Sequence, residues 1–231
     1  MPNSSQTSPR SHPSLTVRPG QFAIKVDAKL MITHIVSDMG GVLVDIEWTD
    51  RVSNLLNREV PIEELHRLWV TAKSTVAFET GKIDFDQFAK TFIEEFELEI
   101  SPAVFQNEFL EIVRGPSLNC NTVLSQLKRQ DFHLSLLSNT SAAHYGKLKQ
   151  HYDFFDYFDQ VFLSYELGIM KPDAAIFEHI LTVLGTPADR VAFFDDGARN
   201  VDAACNAGIQ GYRVDSPDEM MAVVETLNQS S

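Results

Sequence analysis

The chain is poor in cysteine, poor in positive charge relative to negative, and has no apolar run of the roughly 20 residues that a membrane-spanning helix needs. Its two cysteines, Cys120 and Cys205, lie far apart and belong to no C-x-x-C or Cys/His cluster. That argues against a disulfide scaffold and against cysteine ligands; two buried thiols in a reducing, cytoplasmic setting are expected instead. Lys and Arg number 19 against 32 Asp and Glu, a formal charge of −13. Such a field repels an extended phosphate backbone, so neither nucleic acid nor membrane is an expected partner, although local donors can still hold a small anion.

Acids are also missing from one end. None precedes Asp27, and the first twenty residues carry four prolines and five serines. A segment of this composition has too little apolar surface to order itself, and residues 1–30 are expected to be a disordered tail. Ser- and Arg-rich, acid-poor N-termini also occur as organelle transit peptides, but the prolines spoil an amphipathic helix and Met31 offers an alternative start.

What is present, in 231 residues with 44% hydrophobic content, is enough to bury one sizeable core, or one core plus a smaller appended domain. From Met31 onward, apolar runs of strand length at 32–37, 133–137, 160–165, 190–194 and 210–214 alternate with helix-like stretches at 118–130, 141–150, 173–184, 199–207 and 217–228. This alternation predicts an α/β fold, a parallel sheet with helices on both faces. The exception lies between the first strand and the helix at 118. There "DFDQFAKTFIEEF" repeats Phe85, Phe88, Phe92 and Phe96 at helical spacing, and Ser101 caps a helix with Pro102 at its first position. The stretch is too long for a loop and reads as an inserted helical subdomain with Trp69 and the phenylalanines as its core. The expected division is a tail at 1–30, a core from 31–48 and 116–231, and a helical cap at 49–115.

The unusual polar residues all follow strands: Asp38 in "IVSDMGGVLVD", Ser138 and Asn139 in "LLSNT", Asp195 and Asp196 in "FFDDG". In an open parallel sheet, ligands bind at the carboxyl ends of strands. A carboxylate flanked by glycines suits nucleophilic attack. Ser138 and Lys171, in "GIMKPD", suit an oxyanion. Acids at the ends of two strands, Asp38 and Asp196, suit Mg²⁺. Phosphoryl transfer to an aspartate uses all of these together. His34 and His133 have no partner pattern and are expected to be structural.

These four segments, "SDMGGVLVD", "LLSNT", "LGIMKPD" and "FFDDGARNVDAACNAGI", resemble in order and spacing the motifs of the haloacid dehalogenase-like (HAD) superfamily over Ile32 to Val214. The resemblance is greatest to the branch with a helical cap after the first motif, and within it to bacterial sugar phosphatases of the alpha-D-glucose-1-phosphate phosphatase type. It implies a Rossmann-like sheet of order 5-4-1-2-3, Mg²⁺ and an aspartyl-phosphate intermediate. It further implies Asp38 as nucleophile and metal ligand, with the Gly40 carbonyl and Asp196 completing the protein's share of the coordination. Ser138 and the Asn139 backbone would bind the phosphoryl oxygens, Lys171 would neutralise charge, and Asp195 and Asn200 would stand behind the ligands. Gly40 replaces the usual acid/base Asp, which leaves proton transfer to the leaving group without an owner. Asp45, Glu47 and Asp195 are the nearby candidates.

A Mg²⁺-dependent phosphatase of a small phosphorylated metabolite is the favoured reading, with a sugar phosphate as one candidate. A 2-haloacid dehalogenase and a non-catalytic binding protein of the same fold are the alternatives. Specificity would lie in the cap, where Trp69, Phe78 and Glu79 are candidates.

Overall fold

In the computed structural model, residues 31–56 and 61–229 are described; the expected disordered tail at 1–30 lies outside them. Seven strands are present there: β1 (His34–Ser37), β2 (Val44–Ile46), β3 (Val113–Pro116), β4 (His133–Ser138), β5 (Gln160–Leu163), β6 (Val191–Asp195) and β7 (Gln210–Arg213). Five form one parallel sheet in the order β5-β4-β1-β6-β7. The expected numbering 5-4-1-2-3 is thereby corrected, because the antiparallel pair β2/β3 takes two numbers ahead of the later sheet strands. Counted over the five sheet strands alone, the observed order is 3-2-1-4-5.

Successive strand residues face opposite sides, and each side has its own core. Ile35, Leu134, Leu136, Ala192 and Phe194 pack against α6 (Cys120–Arg129), α7 (Ala142–His151) and α11 (Pro217–Gln229). Val36, Leu137, Phe162, Val191 and Phe193 pack against α9 (Ala174–Leu184) and α10 (Ala198–Asn206). Burial on both faces explains the near-continuous apolar runs of these strands. The helix ends follow their local chemistry. Ser141 and Asp173 accept backbone N–H bonds from His144 and Ala175, and Gly185 closes α9 in the left-handed region.

Two expectations need correction. The strand read at 160–165 stops at Leu163, because the Ser164 hydroxyl bonds both the N–H and the C=O of Thr140, each at 3.0 Å, and the chain turns into the short helix α8 (Ser164–Leu167). Cys120 is buried as expected, but Cys205, near the end of α10 and beside Gly211 of β7, is exposed.

Between β2 and β3 run α1 (Trp48–Leu56), α2 (Ile62–Thr71), α3 (Lys73–Glu79), α4 (Phe85–Glu95) and α5 (Pro102–Leu110). They enclose a separate apolar cluster that includes Val52, Leu65, Trp69, Phe78, Phe88, Phe92, Phe105 and Phe109. Of the Phe stripe on α4, Phe88 and Phe92 are fully buried, while Phe85 and Phe96 cover the edge. Asp84 and Ser101 cap α4 and α5 through the N–H groups of Gln87 and Val104. The helical layer is tied to the sheet layer by His144 of α7, whose Nε2 lies 2.7 Å from the Phe109 carbonyl and whose ring stacks on Phe109 at 4.1 Å. A second tie is Lys147, which donates to the carbonyls of Leu110 and Val113.

Candidate active site

All parallel strands point their carboxyl ends to one edge, and β1, β4 and β6 are adjacent. The residues at and just beyond their ends, Asp38, Ser138–Asn139 and Asp195–Asp196, therefore meet at a single place. Asp38 is held there by its own N–H, which donates to the Phe194 carbonyl at 2.8 Å, and is 8% exposed.

Lys171 reaches the same point from the loop after α8. Its ammonium lies 2.8 Å from Asp38 Oδ1 and 2.6 Å from Asp195 Oδ2, and donates to the Leu137 carbonyl at 3.0 Å. All its donor capacity is thus spent on two acids and one strand end. Its loop is clamped by Asn139, whose Oδ1 accepts from the Lys171 N–H and whose Nδ2 donates to the Lys171 carbonyl, both at 2.8 Å. Asp195, fully buried, accepts at Oδ1 from Gly197 N–H and from Asn200 Nδ2. Asp195 and Asn200 thus stand behind Lys171 rather than in the open cleft. Ser138 is buried at the end of β4, its hydroxyl only weakly engaged by the Asn139 carbonyl at 3.5 Å.

Carboxylate oxygens of Asp38, Asp195 and Asp196 come within 4.8 Å of one another. Both Asp195 oxygens are occupied by donors, which leaves two available carboxylates. Asp38 Oδ1 accepts from Met39 N–H at 2.7 Å and from Lys171, so Oδ2 is free; the Asp196 side chain accepts from no other described residue. Two uncommitted hard oxygens beside an excess of negative charge fit a divalent cation such as Mg²⁺. Burial pushes the Asp38 carboxyl up, against the pull of Lys171, and Asp195 and Asp196 push it the same way. Burial and Asp195 likewise raise Asp196. Three acids share one ammonium, and a cation among them would relieve that repulsion.

The two glycines of the first motif differ. Gly41 has φ +79°, and a Cβ on it would lie 2.5 Å from Asp196 Oδ2, so only glycine lets β1's turn approach that acid. Gly40 is under no such constraint: among the described residues a Cβ there would meet the side chain of Ile46 alone, Cγ2 at an ordinary 3.5 Å and Cδ1 at 3.9 Å. The missing acid at position 40 is therefore not imposed by the backbone.

The other candidate acids are committed elsewhere. Asp45 accepts the Ser117 hydroxyl at 2.6 Å, and Glu47 is exposed between Arg51 and Arg114. His34 and His133 stack on each other with centroids 4.8 Å apart at the amino ends of β1 and β4, the opposite edge of the sheet. Trp69 and Phe78 are buried in the helical cluster, whereas Glu79 is half-buried and receives the Trp69 Nε1–H at 3.3 Å. Two features had no sequence signal of their own: the side-chain clamp of Asn139 on Lys171, and the position of Glu79 within reach of the Lys171 charge.

Residues 32–208 match the family of haloacid dehalogenase-like hydrolases. Among characterised proteins, the chain is 28% identical to a sesquiterpene phosphatase of Aspergillus oryzae over 78% of its own length and 88% of the relative's. It is 26% identical to D-ribitol-5-phosphate phosphatase of Bacteroides thetaiotaomicron over 79% and 92%. Among solved structures, a HAD family enzyme of Bacteroides thetaiotaomicron in complex with magnesium and inorganic phosphate superposes with a TM-score of 0.65 at 25% identity, covering 79% of this chain and 93% of that one. The L-2-haloacid dehalogenase of Xanthobacter autotrophicus shares the fold at a TM-score of 0.57 and 19% identity, covering 80% and 78%. With the match extending over most of its length and three strand-end segments meeting the Lys171 loop at one site, the chain belongs to the haloacid dehalogenase-like hydrolase family.

Proposed function

We propose that this protein is a Mg²⁺-dependent phosphatase of a small phosphorylated metabolite, acting through a phosphoryl group carried on Asp38. The observation that carries the reading is the pairing at the sheet edge of two partly uncommitted carboxylates. Among the described residues, Asp38 has one oxygen anchored and one free, and the Asp196 side chain beside it accepts from no other residue. In this reading Asp38 Oδ1, whose direction is fixed by Met39 N–H and Lys171, attacks phosphorus, and Oδ2 is left for the metal. Ser138 and the Asn139 backbone bind phosphoryl oxygens, and Lys171 offsets charge between nucleophile and phosphate. Mg²⁺, held by Asp38, the Gly40 carbonyl and Asp196, would supply the positive charge that lets a phosphate dianion approach an aspartate. Water then attacks the phosphorus and frees Asp38.

Residues 31–48 and 116–231 act as the core and 49–115 as a cap over the leaving group. The relatives support the phosphoryl half of the substrate: one acts on a sugar-alcohol phosphate and another on a sesquiterpene phosphate, so they agree on phosphate and differ in what leaves. The free thiols and the strongly acidic charge are in keeping with a cytoplasmic enzyme of small anions, not of nucleic acid. Among the described residues no helix is long and apolar enough to cross a membrane.

A dehalogenase, whose aspartate attacks carbon, makes no use of a second free carboxylate, and Asp196 therefore favours phosphate. The test is a panel of phosphorylated metabolites and 2-haloacids, with and without Mg²⁺, run beside Asp38→Asn. Mg²⁺-dependent phosphate release that is lost in the variant is expected. Halide release that ignores a chelator would overturn the reading.

A further inference from the structure

Phosphoryl transfer to Asp38 needs a proton for the departing oxygen, and Gly40 has none to give. The nearby acids of the core are unsuited by geometry. Asp195 is sealed between Lys171, Gly197 and Asn200. Asp45 is turned toward Ser117 and α6, where its charge acts on the Cys120 thiol. Glu47 is tied at the surface to Arg51 and Arg114.

One acid approaches from the cap side. Glu79 is the last residue of α3, and the turn behind it is pressed onto the core. Gly81, at φ +68°, sits so close to the Tyr165 carbonyl of α8 that a Cβ would lie 2.1 Å from it. That contact fixes the end of α3 against the element from which the Lys171 loop departs. Glu79 Oε1 takes the indole N–H of Trp69, itself locked by stacking on Phe109, while Oε2 accepts no hydrogen bond among the described residues. Lys171 is the charged group that acts on it. On the other elements packed against α3, Glu95 of α4 faces Ser74 and Lys73 at the far end, Glu166 of α8 is held by the Tyr165 hydroxyl, and Glu64 and His66 of α2 face Arg67 and Trp48. Burial pushes the Glu79 carboxyl up to about 7, with Trp69 and Lys171 pulling the other way, so both protonation states are populated near neutrality.

We propose that Glu79 is the general acid and base of this enzyme, delivered by the cap in place of a carboxylate at position 40. The inference rests on the phosphatase reading above. In the first half-reaction the Asp38 Oδ1–P bond forms, the P–O bond to the leaving group breaks, and protonated Glu79 gives its proton to the departing oxygen. In the second, the Glu79 carboxylate takes a proton from water as the water oxygen bonds to phosphorus, the Asp38–P bond breaks, and inorganic phosphate leaves with Asp38 ionised and Glu79 protonated again.

The experiment is the single-turnover rate of Asp38 phosphorylation, with Mg²⁺ present, across substituted phenyl phosphates and a simple alkyl phosphate. Glu79→Gln is expected to slow the alkyl phosphate by about 10²–10⁴-fold while the best aryl leaving group changes less than about tenfold. Adding Gly40→Asp to Glu79→Gln is expected to restore part of the alkyl rate, since position 40 has room for a side chain. The wild-type chain supplies a reading that needs no variant to fold. Its alkyl-to-aryl rate ratio should fall as pH rises through about 7, because only the alkyl reaction needs the protonated acid. An equal leaving-group dependence in Glu79→Gln and wild type, or a ratio flat across that range, would overturn the proposal. Phosphorylation that survives Asp38→Asn would instead overturn Asp38 as the carrier, and a wild-type chain that releases no phosphate from any of these esters would overturn the phosphatase reading beneath it.

Discussion

Asn139 and Lys171 bind each other twice, amide oxygen to backbone N–H and amide nitrogen to backbone carbonyl, both at 2.8 Å, across a gap of thirty-two residues in sequence. The side chain at the end of β4 thereby sets where the ammonium between Asp38 and Asp195 can sit. Asn139→Ala removes both bonds and leaves two backbone groups without their partner. A loss of about 1–3 kcal/mol in denaturant unfolding is expected, with a larger proportional fall in kcat than in KM for a phosphate ester. Unchanged kcat with lowered stability would mean that the clamp serves folding alone.

The two acids on Lys171 should respond unequally to substitution. Asp38→Asn relieves repulsion among three carboxylates and leaves Asp195 to pair the lysine, so turnover should fall by several orders of magnitude while stability is kept or rises. Asp195→Ala strips Lys171 of its fully buried partner and should cost about 3–5 kcal/mol. Urea titrations of the two variants beside wild type decide it. Equal losses would contradict the assignment of Asp195 as the structural partner.

Metal binding can be read without turnover. Calorimetric titration of Mg²⁺ into the full chain should give one site that Asp196→Ala weakens strongly and Asn200→Ala much less, because the Asn200 amide bonds Asp195, whose oxygens are already occupied. Activity should vanish with EDTA and return with Mg²⁺. A chelator-resistant phosphatase would remove the metal from the account.

Stability should carry two opposed pH dependences between about pH 4 and 7. Burial pushes His144 down to about 4 from an ordinary 6.5, with the Phe109 carbonyl pulling it up and Lys147 pushing it further down. Over that interval the unfolded chain binds a proton that the folded chain refuses. The contribution is therefore complete above pH 6.5 and is lost as pH falls toward 4, on the order of 3 kcal/mol. Glu79, raised from 4.5 to about 7, has the opposite sign: its contribution is complete below 4.5 and lost as pH rises through 7. Relative to wild type, His144→Gln should gain stability as pH falls, and Glu79→Gln should gain it as pH rises. Urea midpoints measured across this range test both, and parallel curves would refute the buried, neutral state of His144.

Much of the site lies in local pattern. Asp38, Ser138 and Asp196 are recognisable because each ends or follows a strand whose apolar run is visible over a few residues, and parallel strands end on one edge by construction. The helical insertion between the first strand and α6 is legible for the same reason: Phe88 and Phe92, and the caps Asp84 and Ser101, act within a turn or two of their own helices.

What the tertiary structure decided is everything that depends on which distant groups meet. The β2/β3 pairing joins residues about seventy apart, and the turn into α8 depends on Ser164 finding Thr140. Of two adjacent acids with the same chemistry, Asp195 is sealed by Lys171, Gly197 and Asn200, while Asp196 is left open beside Gly41. Glu79 reads in sequence as one more acid at a helix end. Its burial, its free oxygen and its nearness to Lys171 come from the end of α3 packing onto α8, and a carboxylate's charge state is set by the solvent and partners around it, which the chain order alone does not specify.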